Sequence, residues 1–448
     1  MMFIKRVAPV LLAIMLLMCL AVQASAAATQ KLVIAHWHFG RPEVKNMMQA
    51  AIDSFVAKYP DVEIEMITPG TSNASFIEGV KVRLAGGVQL DIVGVDIPKR
   101  QSFVRSGLLL DLEPLMKLDS TFERHMFYPW VWDGYRVGNG LYGIPDVINH
   151  RQVFVRGQVL NEAGIAMPGN DWTWDEFVSI ARKVTRDTSG DGKNDVFGME
   201  GYRLWWDFWP VFAWGGGLYK VNAAGQVELA ITSPETIEAF ETFAALESQA
   251  GIVTSPAVER AYGGRVNMIK TGQIAMYIGD VYGLLQEESE FSATLEPTLR
   301  LFPKVKTQPV VGFTNGWAIT SQTPNKELAW KFLNHLTSRA VMMEGRVKYG
   351  SIGARMDVNS QANLFPGLDR SLVQQIMFGL SRMDIDLHAH QGQGPWDNVT
   401  AVTNATDRMR AQEAPVRTIL ESIEPVLKSN LQEYLQEMAA RYQLGPGR

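Results

Sequence analysis

An α/β fold built on mainly parallel sheets is what this sequence predicts, and three observations carry the prediction. Strand-like and helix-like segments alternate as β-α-β-α-β over residues 31–95, an order that requires crossover helices and parallel pairing. The alternation returns over Val153–Gly198, which reads as strand, short helix, tight turn, longer helix and a Gly/Asp loop leading into a new strand. The chain of 448 residues holds one cysteine, Cys19. It therefore depends on a buried core rather than on disulfides, which a chain of this length can build. The length allows two or three domains.

Taken in order, the first segment is not part of the fold. Lys5 and Arg6 precede an apolar stretch from Val10 to Leu20, and Ala24-Ser25-Ala26 is a small-x-small cleavage site. Residues 1–26 read as a secretory signal peptide, too short in its apolar part to remain as a spanning helix. Cys19 raises a lipid anchor as the alternative, but Met18 stands where a small residue is expected. Cleavage moves the formal charge from −5 (42 basic, 47 acidic) to −7, because Lys5 and Arg6 leave and no acid does. A mildly acidic surface argues against nucleic acid or an anionic membrane as partner. No second apolar run approaches membrane-spanning length.

Lys31–Ala35 forms the first strand, and Pro42 opens a helix at the position where its missing N–H costs nothing. Val44, Met47, Met48, Ala51, Ile52 and Phe55 follow at helical spacing until Tyr59-Pro60. Val62–Ile67 alternates as the second strand. A helix around Phe76–Ala85 leads through Gly86-Gly87 into the apolar strand Leu90–Val95, which ends at Asp96. Farther on, Thr173 with Glu176 is a capping box, each side chain satisfying a free backbone donor. Phe177, Ile180, Ala181 and Val184 give that helix its apolar face. Ser233-Pro234 starts another capped helix, ended by Gly251. From Val399 to Gln443 the chain reads as helical despite Pro425, with Ile419, Leu420, Ile423, Leu427, Leu431, Leu435 and Met438 in its stripe.

The order and wording of these pieces resemble the family 1 extracellular solute-binding proteins of ABC uptake systems, the maltose-binding-protein-like group. Ala163-Gly164-Ile165 and Thr173-Trp174-Asp175-Glu176-Phe177 resemble that family's strand–helix–helix unit. Gly86-Gly87 with Asp91-Ile92-Val93, then Ser106-Gly107-Leu108-Leu109 and Asp111-Leu112, are similar to its first half, with Leu90 replacing a usual proline. Tyr142-Gly143-Ile144-Pro145, Lys270–Met276, Leu301-Phe302-Pro303, Gly316-Trp317-Ala318-Ile319 and Asn325–Leu333 continue the likeness. Gly350–Arg355 extends it, with Gly353 where proline is usual. The motifs are individually loose, but they follow one another in the family's order along nearly the whole mature chain.

The resemblance implies two αβ lobes joined by crossing strands, with a ligand cleft between them that closes by hinge motion. The implied division is 27–149 with 305–350 for the N-terminal lobe, and 150–304 with 351–448 for the C-terminal lobe. It further implies an ABC permease as membrane partner, a monomer, no cofactor and no catalysis. Location in the periplasm follows from the signal peptide.

Twelve tryptophans suit a sugar or polyol, because a flat indole covers the C–H face of such a ligand while polar side chains meet its hydroxyls. Trp37, Trp205, Trp206, Trp209, Trp214, Trp317 and Trp396 are the candidates, and core packing is the ordinary alternative for each. Trp37 with His38, Asp96, and Asp280 with Tyr282 each follow a strand's carboxyl end, where ligand contacts gather. Asp96 and Asp280 could equally cap the next helix. Arg355 offers a planar fork to hydroxyls, or to a neighbouring carboxylate. Trp205, Trp206 and Trp209 stand in a run too aromatic for a solvated loop.

Three other patterns compete for function. Asp187, Ser189, Asp191 and Asp195 fall at the first, third, fifth and ninth positions of a calcium loop. Gly198 stands where the bidentate Glu belongs, so a plain turn is expected. His36-Trp37-His38 and His388-Ala389-His390 each put two imidazoles on one strand face, the basis of the rival reading as a metal-dependent hydrolase using His36 and His38. His125, His150 and His335 do not fall on convincing further ligand positions. No nucleophile elbow, P-loop or dinucleotide fingerprint occurs in context.

Overall fold

The computed structural model of the chain describes residues 30–201, 208–249, 251–280, 297–349, 352–360, 369–383, 385–386 and 394–442. It opens on β1 (Gln30–Ala35), α1 (Pro42–Val56), β2 (Val62–Ile67), α2 (Asn73–Ala85), β3 (Ile92–Val95) and α3 (Ile97–Arg105). Next come the long β4 (Ile144–Arg156), α4 (Trp174–Val184), β5 (Phe197–Met199), α5 (Pro234–Gln249), β6 (Ile274–Asp280) and β7 (Pro297–Arg300). The chain continues through β8 (Val311–Ile319), α6 (Lys326–Leu336), α7 (Arg339–Tyr349), β9 (Ile352–Gly353), α8 (Arg370–Ser381) and β10 (Ile385–Asp386). It closes on α9 (Trp396–Arg410) and α10 (Val416–Tyr442).

The local signals act as the residues dictate. β1 carries a continuous apolar run, Leu32–Ala35, buried on both faces as an inner parallel strand must be. β2 is the edge, and Glu63 and Glu65 keep it wet. Ser72 and Ser75 build one capping box on α2, and Thr173 and Glu176 build the other on α4.

The strands run in the order β2-β1-β3-β8-β4-β6-β5. Pairing is parallel at both ends, β2-β1-β3 and β6-β5, and antiparallel through the centre. The sheet is thus mixed. The cause is β4, a single strand of 13 residues, about 40 Å long at the usual rise. Ile144–His150 pairs with β8, whereas Arg151–Arg156 pairs with β6 and β7. One strand therefore belongs to two sheets, changing partners between His150 and Arg151.

Two apolar clusters form around these sheets. The first gathers Leu32, Ile34, Phe55, Phe76, Ile92, Trp317 and Leu333. The second gathers Val155, Phe177, Trp209, Phe240, Met276, Leu420 and Leu427. Alternation along β4 sends Val153 and Val155 to the second and Phe154 to the first.

Segment 351–448, expected in the C-terminal lobe, contributes to both clusters. Ile352, Ala354, Val358, Leu372, Ile376 and Leu380 join the first. Helix α10 buries Ile419–Leu431 residues in the second and Tyr434 and Met438 in the first. No described helix is long and apolar enough to cross a membrane.

Candidate functional site

Because β1, β2 and β3 are parallel, their carboxyl ends share one edge, where polar side chains are free of the ladder. The chain leaves β1 at His36–Phe39, reaches α2 at Asn73 after β2, and leaves β3 at Asp96. These loops form one wall.

The His36 ring lies against Trp37 with centroids 4.0 Å apart and planes at 19°. It also meets Trp317 of β8 at 5.1 Å, and Phe39 stacks on Trp317 at 6.2 Å. Room for this cluster comes from Gly94 on β3, where a Cβ would stand 2.3 Å from the His36 ring. The His38 backbone N–H donates to His36 Nδ1 at 3.0 Å. That nitrogen must be unprotonated to accept, so the ring is neutral with its proton on Nε2. Burial first, then the nearby His38, Lys99 and Arg41, holds His36 well below the usual histidine range. Burial, Arg41 and Lys99 likewise bring His38 down to about 4, against a smaller opposing pull from Asp96.

Trp37 is only 8% exposed. The Lys99 ammonium sits 3.7 Å from its ring centroid. Phe76 meets its edge at 5.6 Å. Asp96 takes the capping role: its Oδ1 accepts the Lys99 backbone N–H at 3.2 Å, and its Oδ2 accepts the Lys99 ammonium at 2.6 Å. Asn73 Oδ1 accepts from the same ammonium at 2.5 Å.

Trp317 is buried, and its indole N–H donates to Asp146 of β4 at 3.1 Å. It stands where the crossing strands meet the wall.

The second lobe presents a comparable edge, since β5 and β6 are parallel. Glu200, buried just past β5, accepts from the Arg265 guanidinium and from the Ile278 backbone N–H. The Arg265 Nη2 also donates to the Ile278 carbonyl at 3.1 Å. Asp280 ends β6 and pairs through its backbone with Arg151 of β4.

The remaining expected residues divide as follows. Trp209 has no exposed surface; it stacks on Phe302 at 4.5 Å with planes 5° apart, inside the second cluster. Arg355 uses its fork internally, bonding Asp357 at 3.0 and 2.9 Å and Glu123 at 2.7 Å. Of its two expected roles, it takes the pairing with carboxylates. Trp205, Trp206 and Tyr282 lie outside the described residues, as do His388 and His390. The wall thus brings together Trp37, His38, Asp96 and Trp317.

Lys99, Asn73, Asp146 and the Glu200–Arg265 pair were not among the residues expected from sequence. For Lys99 a signal existed: Ile97-Pro98-Lys99-Arg100 puts two cations and no acid in the first turn of a helix, against the helix dipole. Such a placement needs a local anion, and Asp96 is it.

The hydrolase rival needs a ligand cluster. Among the described residues, no three His, Cys, Asp or Glu side chains converge as a metal site. His36 Nδ1 is already engaged as an acceptor.

Comparison with known proteins places these features in a group. Residues 41–343 match the family model described as bacterial extracellular solute-binding protein. A curated relative, an uncharacterized lipoprotein in the oleD 5' region of Streptomyces antibioticus, is 25% identical over 149 residues. That match covers 32% of this chain and 32% of the relative, so the chain matches about a third of that relative's length. Solved structures match over far more of the fold. The ABC substrate-binding protein Lmo0181 from Listeria monocytogenes, in complex with cycloalternan, superposes with a TM-score of 0.74 at 17% identity, covering 90% of this chain and 98% of that one. UgpB from Mycobacterium tuberculosis, in complex with glycerophosphocholine, gives 0.72 at 17%, with 92% and 99% covered. The GacH receptor of Streptomyces glaucescens, studied unliganded and with acarbose, gives 0.71 at 15%, with 91% and 99% covered.

Proposed function

This chain belongs to the bacterial extracellular solute-binding proteins, and on that premise we propose that it is the substrate-binding component of an ABC importer that captures a carbohydrate or polyol. The observation that carries the reading is β4, which enters one sheet at Ile144 and leaves the other at Arg156. A strand shared by two sheets lets the strand-end walls of the two lobes approach or part by small backbone rotations near His150 and Arg151. Hinge closure of that kind traps a ligand between lobes. Preference of the ligand for the closed form is the whole device, and no bond need be made or broken.

The composition of the wall favours uncharged, hydroxyl-rich solutes. Neutral His38 both donates and accepts, Asp96 accepts, and an aromatic cluster lies beside them. The solved complexes with cycloalternan and acarbose are consistent with such ligands. Trp37, His38, Asp96 and Trp317 are the proposed first-lobe contacts, and Asp280, Tyr282, Trp205 and Trp206 are proposed as further ligand contacts. Export through the signal peptide to the periplasm, action as a monomer and delivery to a membrane permease complete the proposal.

A thermal-shift screen of the mature protein tests it. Sugars, polyols, a glycerophosphodiester, amino acids and zinc would be the probes. A ligand present at about 100 times its Kd adds about 2.7 kcal/mol to the folded state, so a true ligand raises the melting temperature. A shift with one carbohydrate class supports the reading. A shift with zinc alone, lost on changing His36 and His38, overturns it.

A further inference from the structure

Lys99 touches all three loops of the first-lobe wall. Its side chain has no exposed surface, while that of its partner Asp96 is 16% exposed. The ammonium meets Asn73 Oδ1 at 2.5 Å, Asp96 Oδ2 at 2.6 Å and the Trp37 ring at 3.7 Å from its centroid. Phe76 lies beyond at 5.9 Å. Three N–H donors thus meet two oxygen acceptors and a π face. That satisfies an ammonium which would otherwise be very costly to bury. The three partners come from three separate connections, those following β1, β2 and β3.

We propose that Lys99 is the positioning residue of this wall, fixing Trp37, Asn73 and Asp96 relative to one another and holding a positive charge beside His38. The inference rests on the wall being the ligand-facing one, as argued above. It adds a reason for the ligand class. Lys99 and Asp96 form a neutral pair and Arg41 adds a cation near the histidines, so the wall carries no net negative charge to draw cationic solutes. Each Asp96 oxygen accepts once from Lys99 and keeps a second lone pair for a solute hydroxyl. What the wall offers a solute is hydrogen bonding rather than net charge.

Burial depresses His38 most; among the charged groups Arg41 and Lys99 add to that, and Asp96 opposes it. Removing the Lys99 charge therefore moves the His38 titration, and the charge-keeping Lys99→Arg variant separates that effect from loss of packing. The experiment is histidine NMR titration of the mature protein, with His38 assigned through His38→Gln. Lys99→Met and Lys99→Gln should each raise the His38 midpoint from about 4 toward its ordinary value. Lys99→Arg, which keeps the charge, should leave it low. A folded Met or Gln variant that titrates like wild type overturns the proposal, and so does an Arg variant that rises with them.

A second measurement needs no variant. Amine acylation followed by mass spectrometry should label Lys99 only on unfolding, and labelling at the rate of surface lysines overturns the proposal. Neither readout requires a bound solute. Failure of every sugar in the thermal screen would remove the carbohydrate reading and leave this one standing.

Discussion

Trp317 and Asp146 join the two crossing strands where they meet the wall: the indole N–H of β8 donates to the β4 carboxylate at 3.1 Å, and both side chains are buried. Through Trp317 this bond also orients the His36 and Phe39 rings. Trp317→Phe removes the donor but keeps an aromatic body. A buried carboxylate that loses one donor costs about 1–3 kcal/mol, so urea unfolding should report a loss of that size. Asp146→Asn retains an acceptor oxygen and should cost less. A Trp317→Phe variant as stable as wild type would show that the bond contributes nothing.

The capping box of α4 offers a purely structural control. The Thr173 hydroxyl accepts the Glu176 N–H at 3.2 Å, and the Glu176 carboxylate accepts the Thr173 N–H at 2.7 Å. Thr173→Ala should cost about 1 kcal/mol, as loss of a cap does. The melting shift produced by any bound solute should be unchanged. A variant that keeps its stability but loses ligand would assign α4 a role in binding.

Where the chain punctuates itself, its sequence was readable. Pro42, Gly86-Gly87 and the Thr173–Glu176 box mark element ends by local chemistry, and the structure agrees with them. The length of β4 was not readable. Asn149, His150, Arg151 and Gln152 interrupt its apolar run as a loop would, yet all four are buried where the two sheets meet. Polar residues are needed there because the backbone changes partners. The site divided in the same way. Asp96 was legible because an acid ending a strand before a helix has two roles to choose from, and it took the cap. Trp209 was not, since its stacking partner Phe302 is remote in sequence. Lys99 carried no expectation from sequence, and only its conflict with the helix dipole marked it.

The Asp187–Asp195 loop should ignore calcium. Asp187 Oδ1 accepts from the Ser189 and Gly190 N–H groups, at 3.1 and 2.7 Å, and its Oδ2 accepts from Gly192 N–H at 2.7 Å. Asp195 Oδ2 accepts from the Thr188 and Ser189 N–H groups, and its Oδ1 from the Tyr262 hydroxyl. The carboxylates are thus committed to holding the turn, and those donors keep Asp187 and Asp195 below the usual carboxylate range. Gly198 belongs to β5, where a Cβ would stand 2.3 Å from the Ala181 carbonyl, so no side chain can complete a coordination sphere there. Millimolar calcium should leave the melting temperature unmoved. A rise that disappears in Asp187→Asn would refute this.

Stability should fall as the pH drops from about 6.5 to about 4, and histidines are the cause. His38 titrates at about 4 in the folded chain against an ordinary value of 6.5. His36 lies well below 6.5, and burial with the Lys58 charge also lowers His335. Between the folded and unfolded values the unfolded chain binds more protons, so stability rises with pH across that window. The contribution is complete above the unfolded value and is lost as the pH falls toward the folded ones. Carboxylates act lower: Asp119 and Asp357 are held below their ordinary 3.8 and weaken the fold only as they protonate beneath it. Melting temperature measured from pH 8 to pH 4 should therefore be flat above about 7 and decline below. His38→Gln should make the decline shallower, because one of the groups that resists protonation is gone. If the variant declines as steeply as wild type, His38 is already charged in the folded wall, and the neutral hydrogen-bonding surface proposed for it does not exist.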